Sequence, residues 1–149
     1  MEQDGVEKLE KYKDYKKGRI ILTYPNLTFT DKICFEEDNI LIYHTPGHTD
    51  DEISIIDLDD KVLFAGDNLE RPIPYLMSKN LDKYIKTLED YIKLDVQVVI
   101  GGHTACEDKG LIYDNLDYVK KVLMKSTAEF EKGKFAQYHK TNMQWLIIG

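Results

Sequence analysis

Four short apolar runs, each bounded by polar residues, constrain the fold of residues 33–65 more than any other feature of the chain. Each run contains β-branched residues and is too short for a stable helix, and acidic turn residues separate the first run from the second and the third from the fourth. Such runs predict a meander of antiparallel strands. The runs are ICF at 33–35, ILIYH at 40–44, ISII at 53–56 and VLFA at 62–65.

Helical periodicity flanks a fifth apolar run. Apolar residues recur at helical spacing across residues 81–92, and Asn80 or Ser78 is the expected N-cap. A nearly all-apolar strand is expected at 96–100, and a second amphipathic helix at 112–123. The sequence is therefore of mixed α/β class, with mostly antiparallel strands flanked by helices.

The two ends of the chain carry weaker signals. Residues 6–18 have the spacing of a short amphipathic helix, and residues 19–23 and 28–30 have an extended character. The C-terminal run at 143–149 contains the only tryptophan, Trp145, and we expect it to dock on the body of the protein.

Composition limits the class of protein. The chain has 149 residues, which is the size of one domain, and we expect a single domain over 1–149. With 20 Lys+Arg against 27 Asp+Glu, the formal charge of -7 argues against a nucleic-acid or anionic-membrane partner. The charged N-terminus is unlike a secretory signal, and two cysteines are too few for a disulfide scaffold, so a cytoplasmic protein is expected.

Three residues with metal-binding side chains directly follow predicted strands. His48 follows the second strand in HTPGHT at 44–49, Asp67 follows VLFAG, and His103 follows VVIGG. Strand ends flanked by glycine permit close backbone approach, and a His/His/Asp set suits zinc or a similar divalent metal. Taken singly, each residue is more often a turn or hydrogen-bonding residue than a ligand, so both interpretations stay open on spacing alone.

The three motifs in this order resemble the metallo-β-lactamase superfamily, and the resemblance covers residues 26–121. It implies the C-terminal half of an αβ/βα sandwich. It also implies that His48 ligates a first metal ion, that His103 ligates a second, and that Asp67 bridges both and is the catalytic residue. Members of this family are metal-dependent hydrolases that contain zinc or iron, and this ligand set also suits manganese.

One family feature is absent. The HxHxDH motif does not occur in the chain, so three expected ligand positions are present and four are missing. We therefore expect the metal site to be incomplete in this chain alone. A truncated or split hydrolase follows from this, in which the missing half comes from another segment or chain. A half-sandwich would also expose an apolar sheet face, so we expect a homo-oligomer or a complementary N-terminal chain as partner, together with a small-molecule substrate if the enzyme is active.

Two alternatives remain. In the first, the chain is a non-catalytic relic that acts as a binding or structural module. In the second, it rebuilds a mononuclear metal site from His48, Asp67, His103 and a new ligand, His44 or Cys106.

Among the remaining candidates, an acidic residue within 50–52 is a solvated turn residue or a group that orients His48. The loop around Tyr75 is a candidate for substrate contact, and His139 is expected to be exposed.

Overall fold

The computed structural model describes residues 13–15, 18, 21 and 23–148. The predicted N-terminal helix at 6–18 falls almost wholly outside the described residues, apart from a short 3-10 turn at Lys13–Tyr15. The extended segment predicted at 19–23 also falls largely outside them. Residues 28–30 form no strand.

Five strands form one sheet in the order β1 to β5. The first four are antiparallel neighbours, as the alternation of apolar runs and turns predicts, whereas β5 pairs with β4 in parallel. The strands are β1 at Lys32–Phe35, β2 at Ile40–His44, β3 at Ile53–Asp57, β4 at Val62–Gly66 and β5 at Val98–Gly101.

Within the described residues, three α-helices accompany the sheet: α1 at Leu81–Lys93, α2 at Gly110–Leu123 and α3 at Ala136–Ile148. Helix α1 supplies the crossover that a parallel β4–β5 pair requires. Asn80 occupies the N-cap position of α1 but makes no side-chain cap hydrogen bond, because its side-chain Nδ2 donates to Oδ1 of Asp50 instead. None of the described helices is long and apolar enough to cross a membrane.

The core lies on one face of the sheet. Side chains such as Leu63 and Val99 on that face are fully buried, and they join Leu88 of α1 and Val119 of α2 in one apolar cluster. The apolar stripes of both helices therefore pack where their periodicity predicts.

The opposite face of the sheet is also apolar, and none of its apolar side chains is fully buried. Cross-strand pairs such as Ile42 with Ile55 and Phe64 with Ile100 place these residues on one surface, and Phe64 is 41% exposed. The apolar residues of this face, called the open sheet face below, are Ile33, Phe35, Ile40, Ile42, Ile53, Ile55, Val62, Phe64, Val98 and Ile100. An apolar surface of this kind is typical of an interface.

Candidate metal centre

The Asp67 carboxylate lies between two imidazole rings. Its Oδ1 is 3.4 Å from Nε2 of His103, and its Oδ2 is 4.0 Å from Nε2 of His48. The structure therefore brings together the three residues that the sequence singles out. The His48 side chain is only 10% exposed, whereas that of His103 is 75% exposed, so the group opens to solvent on the His103 side.

The parallel pairing of β4 with β5 explains why Asp67 and His103 meet. Parallel strands end at the same edge of a sheet, and the Gly102 amide donates to the Gly66 carbonyl at 2.7 Å just beyond the paired strands. Gly66 has a positive φ of 56°, which favours glycine. A Cβ atom on Gly102 would overlap Oδ1 of Asp67, so this close approach requires glycine.

The loop that carries His48 is fixed by Asn68, the residue after Asp67. Asn68 is fully buried, and its Oδ1 accepts a hydrogen bond from the His48 amide at 2.7 Å. Its Nδ2 donates to the Thr45 carbonyl and to the Tyr91 hydroxyl. One buried amide side chain therefore joins the loop after β2 to the loop after β4 and sets the distance from His48 to Asp67.

The ring of His48 is oriented by a backbone carbonyl. Its Nδ1 lies 3.0 Å from the Tyr75 oxygen, and a carbonyl oxygen only accepts hydrogen bonds, so Nδ1 carries the proton. The lone pair is then on Nε2, the nitrogen that faces Asp67. A metal-binding histidine is commonly held in this way, with its other ring nitrogen donating to a carbonyl or carboxylate.

Glu70 is a member of the site that the sequence analysis did not single out. Ligand atoms of Asp67, Glu70 and His103 all lie within 4.8 Å of one another, close enough for one metal ion to contact all three. A usable signal was present: Glu70 stands next to Leu69 and shortly before the apolar Pro72-Ile73-Pro74 segment, three residues after Asp67. An acidic residue in such surroundings is a candidate for a buried, functional carboxylate.

Glu70 is buried, with 4% of its surface exposed, and its backbone is held from both sides. Its amide donates to Oδ1 of Asn115 on α2, and its carbonyl accepts from Nδ2 of the same side chain, both at 3.0 Å. Oε2 of Glu70 accepts a hydrogen bond from the Tyr75 amide at 3.2 Å. Burial raises the pKa of the Glu70 carboxyl above its usual range, because the charged form loses solvation there.

The negative charge of this group is not neutralised by lysine or arginine within the described residues. Arg71, next to Glu70, turns away and pairs with Glu107 and Asp114. A third carboxyl group, that of Glu52, is half-buried nearby and accepts a hydrogen bond from the Asp67 amide. Burial raises the pKa of Glu52 as well.

Two further candidate ligands from the sequence analysis lie elsewhere. His44 ends β2, is exposed, and has its Nε2 2.8 Å from the Asp50 carbonyl oxygen, so it is a turn-stabilising residue. Cys106 is a free, exposed thiol and is not among the grouped ligand atoms. The prediction that one of them supplies the extra ligand is not supported: Glu70 is the additional residue in the group.

The orientation of His48 also differs from one of the sequence-based alternatives. Asp50 accepts hydrogen bonds from Ser78 and Asn80, Asp51 accepts one from Thr49, and Glu52 accepts one from the Asp67 amide. None of these three carboxylates hydrogen-bonds the His48 ring. The Tyr75 carbonyl does so instead. A backbone group carries no side-chain signature, so residue type alone could not have revealed this role.

His139 is buried, and the prediction that it is exposed is wrong. It is 5% exposed, and its Nδ1 lies 3.0 Å from the Tyr118 hydroxyl. Desolvation lowers its pKa below the usual value. The neighbouring Lys140 suggested a solvated tail, but residues 136–148 form helix α3, which turns His139 inward and packs Leu146 against the core.

These donors fit a divalent metal ion. Imidazole nitrogens and carboxylate oxygens suit zinc, iron and manganese, and the orientation of His48 leaves Nε2 unprotonated, as ligation requires. Glu70, which is buried and has no lysine or arginine partner within the described residues, also favours a bound cation, because buried negative charge without a counter-charge is costly.

Comparison with known proteins supports the same interpretation. The sequence model of the metallo-beta-lactamase superfamily matches residues 2–103, which is more than half of the chain. The chain belongs to this superfamily. The match ends at His103, the last of the three predicted ligands, and begins closer to the N-terminus than the residues 26–121 in which the resemblance is visible by motif.

Solved structures of metallo-beta-lactamases share the fold. A metallo-beta-lactamase family protein from Thermus thermophilus superimposes with a TM-score of 0.60 at 17% identity, covering 86% of this chain and 49% of that one. The DIM-1 metallo-beta-lactamase gives a TM-score of 0.57 at 19% identity, covering 76% of this chain and 54% of that one. The chain therefore has a metallo-beta-lactamase fold and spans about half the length of these structures.

A short sequence match also exists outside these structures. "Putative transcription factor avaE" from Aspergillus versicolor is 35% identical over 54 residues, which is 35% of this chain and 16% of that protein. A match of this extent identifies no function.

Proposed function

We propose that this chain is the second half of a metal-dependent hydrolase, and that its catalytic centre is completed by ligands from another segment or chain. The observation that carries the proposal is the position of the Asp67 carboxylate between the Nε2 atoms of His48 and His103. Each of these residues follows a different strand, and together they can bind metal from both sides of one carboxylate. Zinc is the metal that we propose first, with iron and manganese as alternatives.

The residues of this chain would bind and orient. His48 and His103 would each offer a ring nitrogen, Asp67 would offer both oxygens, and the Glu52 carboxylate fixes the Asp67 backbone. When bound, a divalent metal lowers the pKa of its water ligand and polarises the substrate carbonyl or phosphoryl oxygen. His103 is the most exposed of the three ligands, so we propose that a small substrate approaches from that side.

The missing half is also the partner that we propose for the open sheet face. This face carries ten apolar side chains, and the chain spans about half of the solved structures that share its fold. A second copy of this chain could cover the surface but would bring no HxHxDH motif. A complementary half would cover the surface and supply the missing ligands, so we propose it as the occupant.

The hydrolase proposal is tested by supplying the missing half. The DNA upstream of and around this reading frame is examined for an HxHxDH-bearing segment, which is then co-expressed with the chain. Bound metal and hydrolysis of ester, thioester and phosphodiester probes are measured with wild type and with Asp67→Asn. We expect metal and hydrolysis that Asp67→Asn abolishes. Metal-free, inactive complexes, or the absence of any such segment, would refute the proposal.

The docking proposal is tested by charge insertion. Phe64→Glu places a carboxylate on the open sheet face, and Tyr113→Glu places one on an exposed site of α2 as the matched control. We expect Phe64→Glu alone to prevent association with the complementary half in analytical ultracentrifugation. A stable homodimer of the wild-type chain that Phe64→Glu dissociates would instead identify a second copy as the occupant.

We also propose that the protein works in the cytoplasm. Cys34 and Cys106 are both free and exposed, and such thiols persist best in a reducing compartment.

A second candidate function is a non-catalytic binding module. Its support is the ligand count, because only four histidines are present in the chain and no two of them are spaced as in HxH. This candidate predicts that the chain retains no metal after desalting even when it is co-expressed with the complementary half, whereas the hydrolase proposal predicts that this complex retains metal. Total metal analysis therefore discriminates between them.

A further inference from the structure

We propose that Asp67, Glu70 and His103 form a complete site for one divalent transition-metal ion, which this chain binds without the missing half. The inference rests on the metal-dependent function proposed above and assigns Glu70 a role as a direct ligand. The centre then has two metal positions. This chain supplies all the protein ligands of the first, and the second, beside His48, has only Asp67 in common with the first.

The distances support this division. One ligand atom from each of Asp67, Glu70 and His103 falls within a common 4.8 Å. His48 stands outside this group, on the far side of the carboxylate, with its Nε2 4.0 Å from Oδ2 of Asp67. An ion contacting Glu70 and His103 would therefore use Oδ1 of Asp67, the oxygen that lies 3.4 Å from His103.

The Glu70 carboxylate is buried and has no lysine or arginine partner within the described residues. Its Oε2 accepts a hydrogen bond from the Tyr75 amide. The residue is 4% exposed. Burying a carboxylate is costly unless it is paired, and the adjacent Arg71 is committed to Glu107 and Asp114. A bound cation next to Asp67 removes this cost.

The position of Glu70 is also fixed in advance. Asn115, which is fully buried on α2, accepts from the Glu70 amide and donates to the Glu70 carbonyl. The carboxylate is held by Tyr75. Because backbone and side chain are both restrained, Glu70 cannot turn into solvent as an ordinary loop glutamate would. Restraint of this kind lowers the entropic cost of ligation.

The donor chemistry is that of a divalent transition metal. Two carboxylate oxygens and one imidazole nitrogen form a mixed set that zinc, manganese and ferrous ions all accept. Three protein ligands with positions left for water are also the usual arrangement of a catalytic zinc site. The HxHxDH motif is not required for this first ion, although a second ion beside His48 would still depend on it.

The test uses the purified full chain and Zn²⁺ alone. Binding is measured by isothermal titration and chelator competition for wild type, Glu70→Gln, His103→Ala and His48→Ala. We expect one zinc ion per wild-type chain. Loss of a residue that only supports a ligand weakens metal affinity by about 10- to 100-fold. Because Glu70 and His103 are direct ligands in this proposal, Glu70→Gln and His103→Ala should each weaken zinc affinity by about 100-fold or more. His48→Ala should change affinity by less than about threefold.

Glu52→Gln is the matched control for charge. It removes a half-buried carboxylate that contacts the Asp67 amide but is not among the grouped ligand atoms. Gln keeps an acceptor for the Asp67 amide, so we expect Glu52→Gln to weaken zinc affinity by no more than about tenfold, less than Glu70→Gln does. Thermal unfolding without zinc separates ligation from structure: a ligand role predicts that metal-free Glu70→Gln melts no lower than metal-free wild type, whereas a structural role predicts a lower melting temperature.

Each result has a definite meaning. Failure of the wild-type chain alone to bind zinc would overturn this inference but not the proposed hydrolase, whose metal centre is completed by the missing half and is tested by co-expression. Wild-type binding that Glu70→Gln leaves unchanged, that Glu52→Gln weakens equally, or that His48→Ala abolishes would overturn only the inference. So would two zinc ions per wild-type chain, or a lower melting temperature of metal-free Glu70→Gln.

Discussion

The Nδ1 atom of His48 lies 3.0 Å from the backbone carbonyl oxygen of Tyr75. The amide of the same residue donates to Glu70, so a single loop residue holds two members of the metal centre through its backbone. The ring of Tyr75 packs against Tyr138 and Trp145 of α3, with centroid distances of 5.8 and 5.3 Å. Helix α3 thereby supports a site that it does not itself enter.

The first prediction concerns histidine tautomers. The neutral ring of His48 should carry its proton on Nδ1, because that atom faces a carbonyl oxygen. His44 should carry it on Nε2, which faces the Asp50 carbonyl. Long-range ¹H–¹⁵N correlation spectra at neutral pH distinguish the two forms. Finding His48 with its proton on Nε2 would contradict the proposed orientation.

The second prediction concerns Asn68. Replacing it with Leu removes the buried partner of the His48 amide and the Thr45 carbonyl. Because buried polar groups left unpaired are costly, Asn68→Leu should lower the free energy of unfolding by about 2–4 kcal/mol in urea denaturation. Asn80→Ala, which loses an exposed hydrogen bond to Asp50, should lower it by less than about 1 kcal/mol. Equal losses of unfolding free energy in the two variants would show that the buried hydrogen bonds of Asn68 stabilise the fold no more than an exposed one.

The third prediction concerns pH and His139. Asn142 donates to the Tyr118 hydroxyl, which leaves the hydroxyl proton available to Nδ1 of a neutral His139, and burial favours the neutral ring in the folded state. The pKa of His139 is lowered by desolvation, and the nearby Glu131 opposes this more weakly.

The unfolded chain takes up this proton near pH 6.5, and the folded chain only at lower pH. The free energy of unfolding should therefore decrease as pH falls below 6.5. Urea denaturation between pH 7.5 and about 5 measures the slope. His139→Gln keeps an acceptor for Tyr118 but cannot titrate, so its slope should be shallower. Identical slopes would exclude His139 as a source of the pH dependence.

The fourth prediction concerns Gly102. An added Cβ would overlap Oδ1 of Asp67, so Gly102→Ala should displace the carboxylate and weaken zinc binding by about tenfold or more, as loss of a supporting partner does. Gly18→Ala adds the same methyl group at a position where no atom of the described residues lies within 4 Å, and it should leave zinc affinity unchanged. Wild-type affinity in Gly102→Ala would mean that Asp67 accommodates the methyl group.

The sheet and the first two helices could be predicted because their signals are local. The strand expected at 40–44 is found as Ile40–His44, and the helix expected at 81–92 is found as Leu81–Lys93. Period-two and period-3.6 patterns determine which side chains are buried, and residues 33–123 follow them clearly. The sequence indicated that Asp67 and His103 can meet, because both follow strand ends, but spacing alone left this open until the parallel pairing of β4 with β5 was known.

What could not be predicted depends on contacts distant in sequence. The burial of Glu70 is fixed by Asn115, and the inward turn of His139 by Tyr118, and neither pairing leaves a local pattern. His48 is oriented by the backbone of Tyr75, for which residue type carries no information. Side-chain chemistry identified candidate ligands, but tertiary contacts determined which of them the fold presents together.

The parallel pairing of β4 with β5 gives the metal centre a part in holding the sheet together. Strand β5 is the outer strand of the described sheet, and on its outer side only the isolated bridge of Val99 with Glu107 pairs it within the described residues. An ion held by Asp67 and His103 would act as a cross-link between the ends of these two strands and would oppose the fraying of β5. Amide hydrogen exchange in residues 98–101 should then slow when metal is added, so the outer strand would report on occupancy of the centre.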